Sequence, residues 1–62
     1  MTVYDFCNMC IDNYSPIDLY DTNNGTVVFS GTMYDALYSD YSEYEVVSFD
    51  PPVGDKLTIN IE

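Results

Sequence analysis

Basic side chains are almost missing from this sequence. It has no arginine and no histidine, and Lys56 is the single lysine against eleven carboxylates, a formal net charge of −10 over 62 residues. That shortage excludes direct nucleic-acid binding, which draws most of its affinity from Lys and Arg on phosphates. Attraction to anionic membranes needs the same residues. Most charge-stabilising chemistry has no cation to use, and although carboxylates are plentiful, 62 residues rarely enclose the cleft that a catalytic pair needs. No catalytic residue is therefore expected, and the chain does not read as an enzyme. No run approaches the ~20 apolar residues of a membrane helix. The N-terminus has neither the basic nor the apolar stretch of a signal peptide. The expected setting is the cytoplasm of a bacterial host cell.

Cysteine is scarce too. Cys7 and Cys10 form one C-x-x-C pair, too little for a disulfide framework. A structural zinc site takes four ligands, so this pair would need a second copy of the chain to complete one. A redox pair would open a helix in a βαβ setting, which is not visible here. The simplest reading is two small core residues, with no cofactor and no metal. Asp21-Thr22-Asn23-Asn24-Gly25 starts like a calcium loop, but its glycine comes one residue early and the closing acid is absent. It reads as a plain turn.

What the chain does have is apolar and aromatic. Its 47% apolar content, with seven Tyr and three Phe, separates it from disordered acidic chains, which lack aromatic and β-branched residues. Residues 1–62 read as one acidic domain. A domain this small buries only about 60% of its unfolded surface, so it holds little surplus stability.

The expected fold is α+β: a small, mostly antiparallel sheet of four or five strands, in the order β-ββ-α-ββ, with one short helix packed on it. Thr2–Phe6 has strand composition. The strongest local signal is a hairpin, Ile17–Asp21 and Thr26–Ser30 around Thr22-Asn23-Asn24-Gly25, where Asn-Gly accepts positive φ. Tyr20, Val27 and Phe29 should share one side, and Ile17, Leu19 and Val28 the other. Two apolar sides place the hairpin centrally or between layers. Thr32 should cap a helix, with Asp35 three residues on, Met33, Ala36 and Leu37 on its inner face, and an end near 39–41. Tyr34, Tyr38 and Tyr41 make a second stripe. Glu45–Asp50 reads as a strand stopped by Pro51-Pro52. Leu57, Ile59 and Ile61 alternate toward the core.

The remaining feature is the acids. Asp35, Asp40, Glu43 and Glu45 alternate with Tyr38, Tyr41 and Tyr44, and these seven residues are the expected partner-binding set. The bland alternative is a solvated acidic face. Against it, ordinary surfaces mix charges of both signs, and tyrosine is enriched at interaction hot spots. Carboxylates on alternate strand residues, about 6.6 Å apart, could also imitate a phosphate track of ~3.4 Å spacing. The expected partner is a basic nucleic-acid-binding protein, such as a host defence nuclease. The competing reading is a homodimeric interaction module whose acidity serves solubility.

The pattern Val3-Tyr4-Asp5-Phe6-Cys7-x-x-Cys10, then Asp18-Leu19-Tyr20-Asp21, Val27-Val28-Phe29-x-Gly31, Phe49-Asp50 and Leu57-Thr58-Ile59-Asn60-Ile61, resembles small uncharacterised acidic proteins of bacterial prophages and mobile elements. That resemblance implies a setting and carries no activity. In size and charge the chain is also similar to phage anti-defence proteins, including anti-CRISPR and other DNA-mimic inhibitors, with no motif shared residue by residue.

Overall fold

A computed structural model describes residues 1–9, 14–54 and 56–62, with the side chains of 51–53 outside that description. The chain is α+β, as expected. It runs α1 (Val3–Asn8), β1 (Pro16–Asp21), β2 (Thr26–Thr32), α2 (Met33–Leu37), β3 (Val46–Val53) and β4 (Lys56–Ile61). The four strands form one sheet in the order β2-β1-β4-β3. The hairpin pairs β1/β2 and β3/β4 are antiparallel, and the central pair β1/β4 is parallel.

The first element corrects the sequence reading: the segment expected as strand Thr2–Phe6 opens a helix. Thr2 and Asp5 form a reciprocal capping box, with Asp5 N–H donating to Thr2 Oγ1 and Thr2 N–H to Asp5 Oδ2, both at 3.2 Å. Val3 and Cys7, four residues apart, are fully buried, and Phe6 packs beside them. Helical spacing of the buried side chains and a complete cap outweigh the strand composition, because propensity is the weaker effect.

β1 and β4 carry the core. Leu19 lies opposite Ile59 and Ile17 opposite Leu57, and Ile17, Leu19, Ile59 and Ile61 have no exposure. Val3, Cys7, Met33, Ala36 and Leu37 close over them from the helices. Leu57, Ile59 and Ile61 thus face inward as their alternation predicts, and so do Met33, Ala36 and Leu37.

The hairpin forms with the four-residue turn, pairing Tyr20 with Val27 and Asp21 with Thr26. Gly25 has φ +68°, and no non-glycine among the described residues has positive φ, so Asn24 does not share the positive φ that a two-residue Asn-Gly turn requires. A bulge at Val28 then shifts the register, so that Leu19 faces Phe29. An extra residue reverses the faces beyond it. Phe29 therefore joins Ile17 and Leu19 on the core side, and Val28 packs there too. Only Tyr20 and Val27 remain opposite. β1 is internal but β2 is an edge, so the hairpin as a whole is not central. The other sheet face is polar apart from Val27 and Tyr20: Ser30, Asp18, Thr58 and Asp50 lie in one row, and Val27, Tyr20, Asn60 and Ser48 in the next.

Two further expectations change. Strand β3 runs past Asp50 to Val53, through both prolines. It is an edge strand with a register shift between Asp50 and Val53, the setting in which a missing N–H is tolerated. Helix α2 ends at Leu37, earlier than expected, because Ser39 competes for its last carbonyls. Ser39 Oγ and Ser39 N–H both donate to the Ala36 carbonyl, at 2.7 and 3.1 Å. Local bonds of this kind offer the backbone an alternative to the helix.

Candidate partner-binding surface

The stretch from Asp35 to Glu45 leaves α2 and crosses to β3 as a series of turns. Ser42 N–H donates to the Ser39 carbonyl at 3.2 Å, and Tyr44 N–H to the Tyr41 carbonyl at 3.1 Å. The stretch is fixed by α1. Val3 N–H donates to the Tyr44 carbonyl at 2.9 Å, Tyr4 N–H to the Ser42 carbonyl at 2.8 Å, and Val46 N–H to the Met1 carbonyl at 2.8 Å. The first N–H groups of a helix have no partner within it. Here Thr2 and the acidic stretch accept them. At the far side, Glu62 N–H donates to the Glu45 carbonyl at 3.1 Å. A polar, turn-rich segment is thereby joined by backbone hydrogen bonds to Met1, to the first turn of α1 and to Glu62.

The structure divides the expected tyrosine stripe. Tyr34 and Tyr38, one helical turn apart, form an edge-to-face pair with centroids 5.1 Å apart and an interplanar angle of 62°. They are 48% and 70% exposed. Tyr41 does not continue this stripe, because α2 has already ended. It packs half-buried against the core and pairs with Tyr44 at 5.2 Å. Of the expected tyrosines, Tyr38 and Tyr44 present open surface, and Tyr41 is chiefly an anchor. Tyr34 was outside the expected contact set, although its i, i+4 spacing to Tyr38 signalled the pair.

The carboxylates fall into two groups. Four have structural partners. Asp5 closes the α1 cap. Asp18 accepts from Ser30 Oγ at 2.6 Å and lies 3.3 Å from Lys56 Nζ. Its carboxyl is held below the ordinary value, first by the Ser30 hydroxyl and then by Lys56, against the opposing effect of burial. Asp21, only 6% exposed, accepts from Asn23 N–H at 2.9 Å and Asn24 Nδ2 at 2.8 Å. It organises the turn that resembled a calcium loop, while Thr22 fastens that turn to the Ile61 carbonyl. Glu45 meets the Met1 amino group at 3.0 Å, a contact the local sequence pattern did not reveal.

Asp35, Asp40, Glu43, Asp50 and Glu62 make up the second group. Among the described residues, no side chain or cation meets their carboxylates. Three of the five belong to the 35–45 stretch, where the exposed Tyr38 and Tyr44 also lie. Asp12 and Asp55 fall outside the described residues. So does Cys10, so of the two cysteines expected in the core only Cys7 is described, and it is fully buried there. No group of three or more metal-ligating side chains occurs among the described residues, and none of their helices is long and apolar enough to cross a membrane. The chain matches no protein-family model, no curated protein and no solved structure.

Proposed function

We propose that this protein works by binding another protein, presenting Asp35, Tyr38, Asp40, Glu43 and Tyr44 to a basic surface built for nucleic acid. In that reading it is a phage or mobile-element inhibitor of host defence, of the anti-CRISPR or DNA-mimic kind, and its partner is a basic defence nuclease. One observation carries the reading. Among the described residues the carboxylates of Asp35, Asp40 and Glu43 have no structural partner, yet they sit on a braced segment beside the exposed Tyr38 and Tyr44. Three charges concentrated on one stretch of a −10 chain repel one another and lower stability. A basic groove relieves that repulsion, and arginine forks accept carboxylate as they accept phosphate.

The homodimer reading draws on the open edge of β2, where another strand could pair. The same net charge repels a second copy, so the basic partner is favoured. The test uses the protein as bait in cells that carry nuclease-based defence, beside an Asp40→Asn/Glu43→Gln variant. The expected result is a basic nucleic-acid-binding protein retained by the wild type, depleted with the variant, displaced by duplex DNA and released by salt. Equal retention by both baits, or retention unchanged at high salt, overturns it. A stable dimer in light scattering with no basic partner supports the homodimer instead.

A further inference from the structure

Resting on that reading, we propose that the exposed pair of Tyr34 on α2 and Tyr38 at its C-cap is a receptor for arginine and selects arginine-bearing protein segments over lysine-bearing ones. The inner face of α2 is fully used, since Met33, Ala36 and Leu37 are buried. The opposite side carries two large aromatic rings, Tyr34 and Tyr38, at 48% and 70% exposure. An aromatic pair turned outward on a five-residue helix adds nothing to the core. Its stability cost is the exposed apolar ring area.

The geometry and the charge point to the same occupant. In an edge-to-face pair one ring turns its edge to the other, so ring faces remain open for stacking. Residues three and four apart on a helix are neighbours at about 5–6 Å. Tyr38 at the C-cap packs against Tyr34, Asp35 precedes it by three residues, the spacing of helical neighbours, and the exposed Asp40 follows two residues later. The Asp35 carboxylate is available because the cap of α2 is only half made. Thr32 Oγ1 accepts from Asp35 N–H at 3.2 Å, but the return bond that occupies Asp5 in α1 is not formed in α2. A flat cation can then stack on a tyrosine while its N–H groups reach a carboxylate. Guanidinium has that shape, stacks on aromatic faces and sheds water readily. Ammonium is a strongly hydrated point charge and gains less from a ring. Acidity alone would attract both, and the aromatic pair supplies the discrimination.

Calorimetric titration with two peptides of equal length and charge, one of Arg and Gly and the other of Lys and Gly, tests this at physiological ionic strength. The arginine peptide is expected to bind more tightly, by about two- to fivefold for each stacked guanidinium. Tyr34→Leu/Tyr38→Leu should remove that preference and leave lysine-peptide affinity unchanged, whereas Tyr34→Phe/Tyr38→Phe should keep it. Both tyrosines are exposed, and a matching melting temperature confirms that each variant is folded. Equal binding of the two peptides by the wild type overturns the arginine receptor and leaves the basic-surface reading standing. A preference that survives the double leucine change does the same. If neither peptide binds, the basic-surface reading fails and the receptor fails with it.

Discussion

The backbone N–H of Val3 donates to the carbonyl of Tyr44 at 2.9 Å. This bond joins the first turn of α1 to the stretch that carries the candidate acids, so the helix cap and the binding surface depend on each other. Thr2→Ala removes the capping oxygen and should cost about 1 kcal/mol, read by chemical denaturation. Amide exchange should quicken at Asp5, whose donor loses its acceptor, and at Val3 and Tyr4. An unchanged midpoint with unchanged exchange would show that the box does not hold this junction.

Asp18 should make part of the stability depend on pH. Its folded carboxyl lies below its ordinary value, so its contribution is complete above the unfolded value of about 3.9. It fades as pH falls through the lower folded value. Ser30→Ala removes the largest cause of the shift. The variant should lose about 1 kcal/mol near neutral pH and approach the wild type once Asp18 is protonated. An Asp18 titration followed by NMR should move upward in the variant. A loss of equal size at all pH values would assign the effect to something other than the carboxylate.

The parallel contact of Leu19 with Ile59 should be indispensable. Both side chains are fully buried, and truncating such a residue to alanine costs about 2–5 kcal/mol. A domain of this size has roughly 3–5 kcal/mol in total. Leu19→Ala and Ile59→Ala should each leave a largely unfolded chain by circular dichroism, whereas Val47→Ala, at an exposed bulge on β3, should melt close to the wild type.

Gly25 is the single residue of the hairpin turn with positive φ, at +68°. An alanine there would lie 3.7 Å from the Tyr20 hydroxyl, ordinary contact, so the cost of Gly25→Ala is conformational. It should be about 1 kcal/mol, visible as a lower denaturation midpoint. Asn24→Ala loses only the side-chain bond to Asp21 and should cost less.

Salt should act on folding and on binding with opposite signs. Added salt screens self-repulsion, so the melting temperature should rise between ~0.05 and ~0.5 M NaCl while affinity for a basic partner falls. Asp40→Asn/Glu43→Gln should behave like salt, stabilising the free protein and weakening the complex. A variant that weakens both would show that these carboxylates support the fold.

Much of the fold was legible where the signal was local. The Asn-Gly hairpin, the Thr32 cap, the inward side of α2 and the alternation of Leu57, Ile59 and Ile61 all stand in the structure. Each depends on neighbours within a few residues. The first element was misread because Val3, Tyr4 and Phe6 suit a strand, although Thr2 and Asp5 already spelled a cap. Phe29 was placed on the wrong face because one bulge residue, Val28, reverses everything beyond it. Of the seven candidate contacts, Tyr41 alone is not exposed. Tyr41 turned inward and Glu45 acquired a cation, because α2 ended early and the chain start came to lie alongside.

The sequence by itself determined that this is a folding, acidic α+β domain with almost no cation to neutralise it, because composition and short-range pattern set charge, foldability and local elements. Local pattern already places Asp5 in a cap and Asp21 in a turn. Tertiary structure alone supplied the other partners: Ser30 and Lys56 for Asp18, and the amino group of Met1 for Glu45. Asp35, Asp40 and Glu43 meet none among the described residues. Net charge is a sum over residues, but whether a carboxylate is available to a partner depends on what the fold sets beside it.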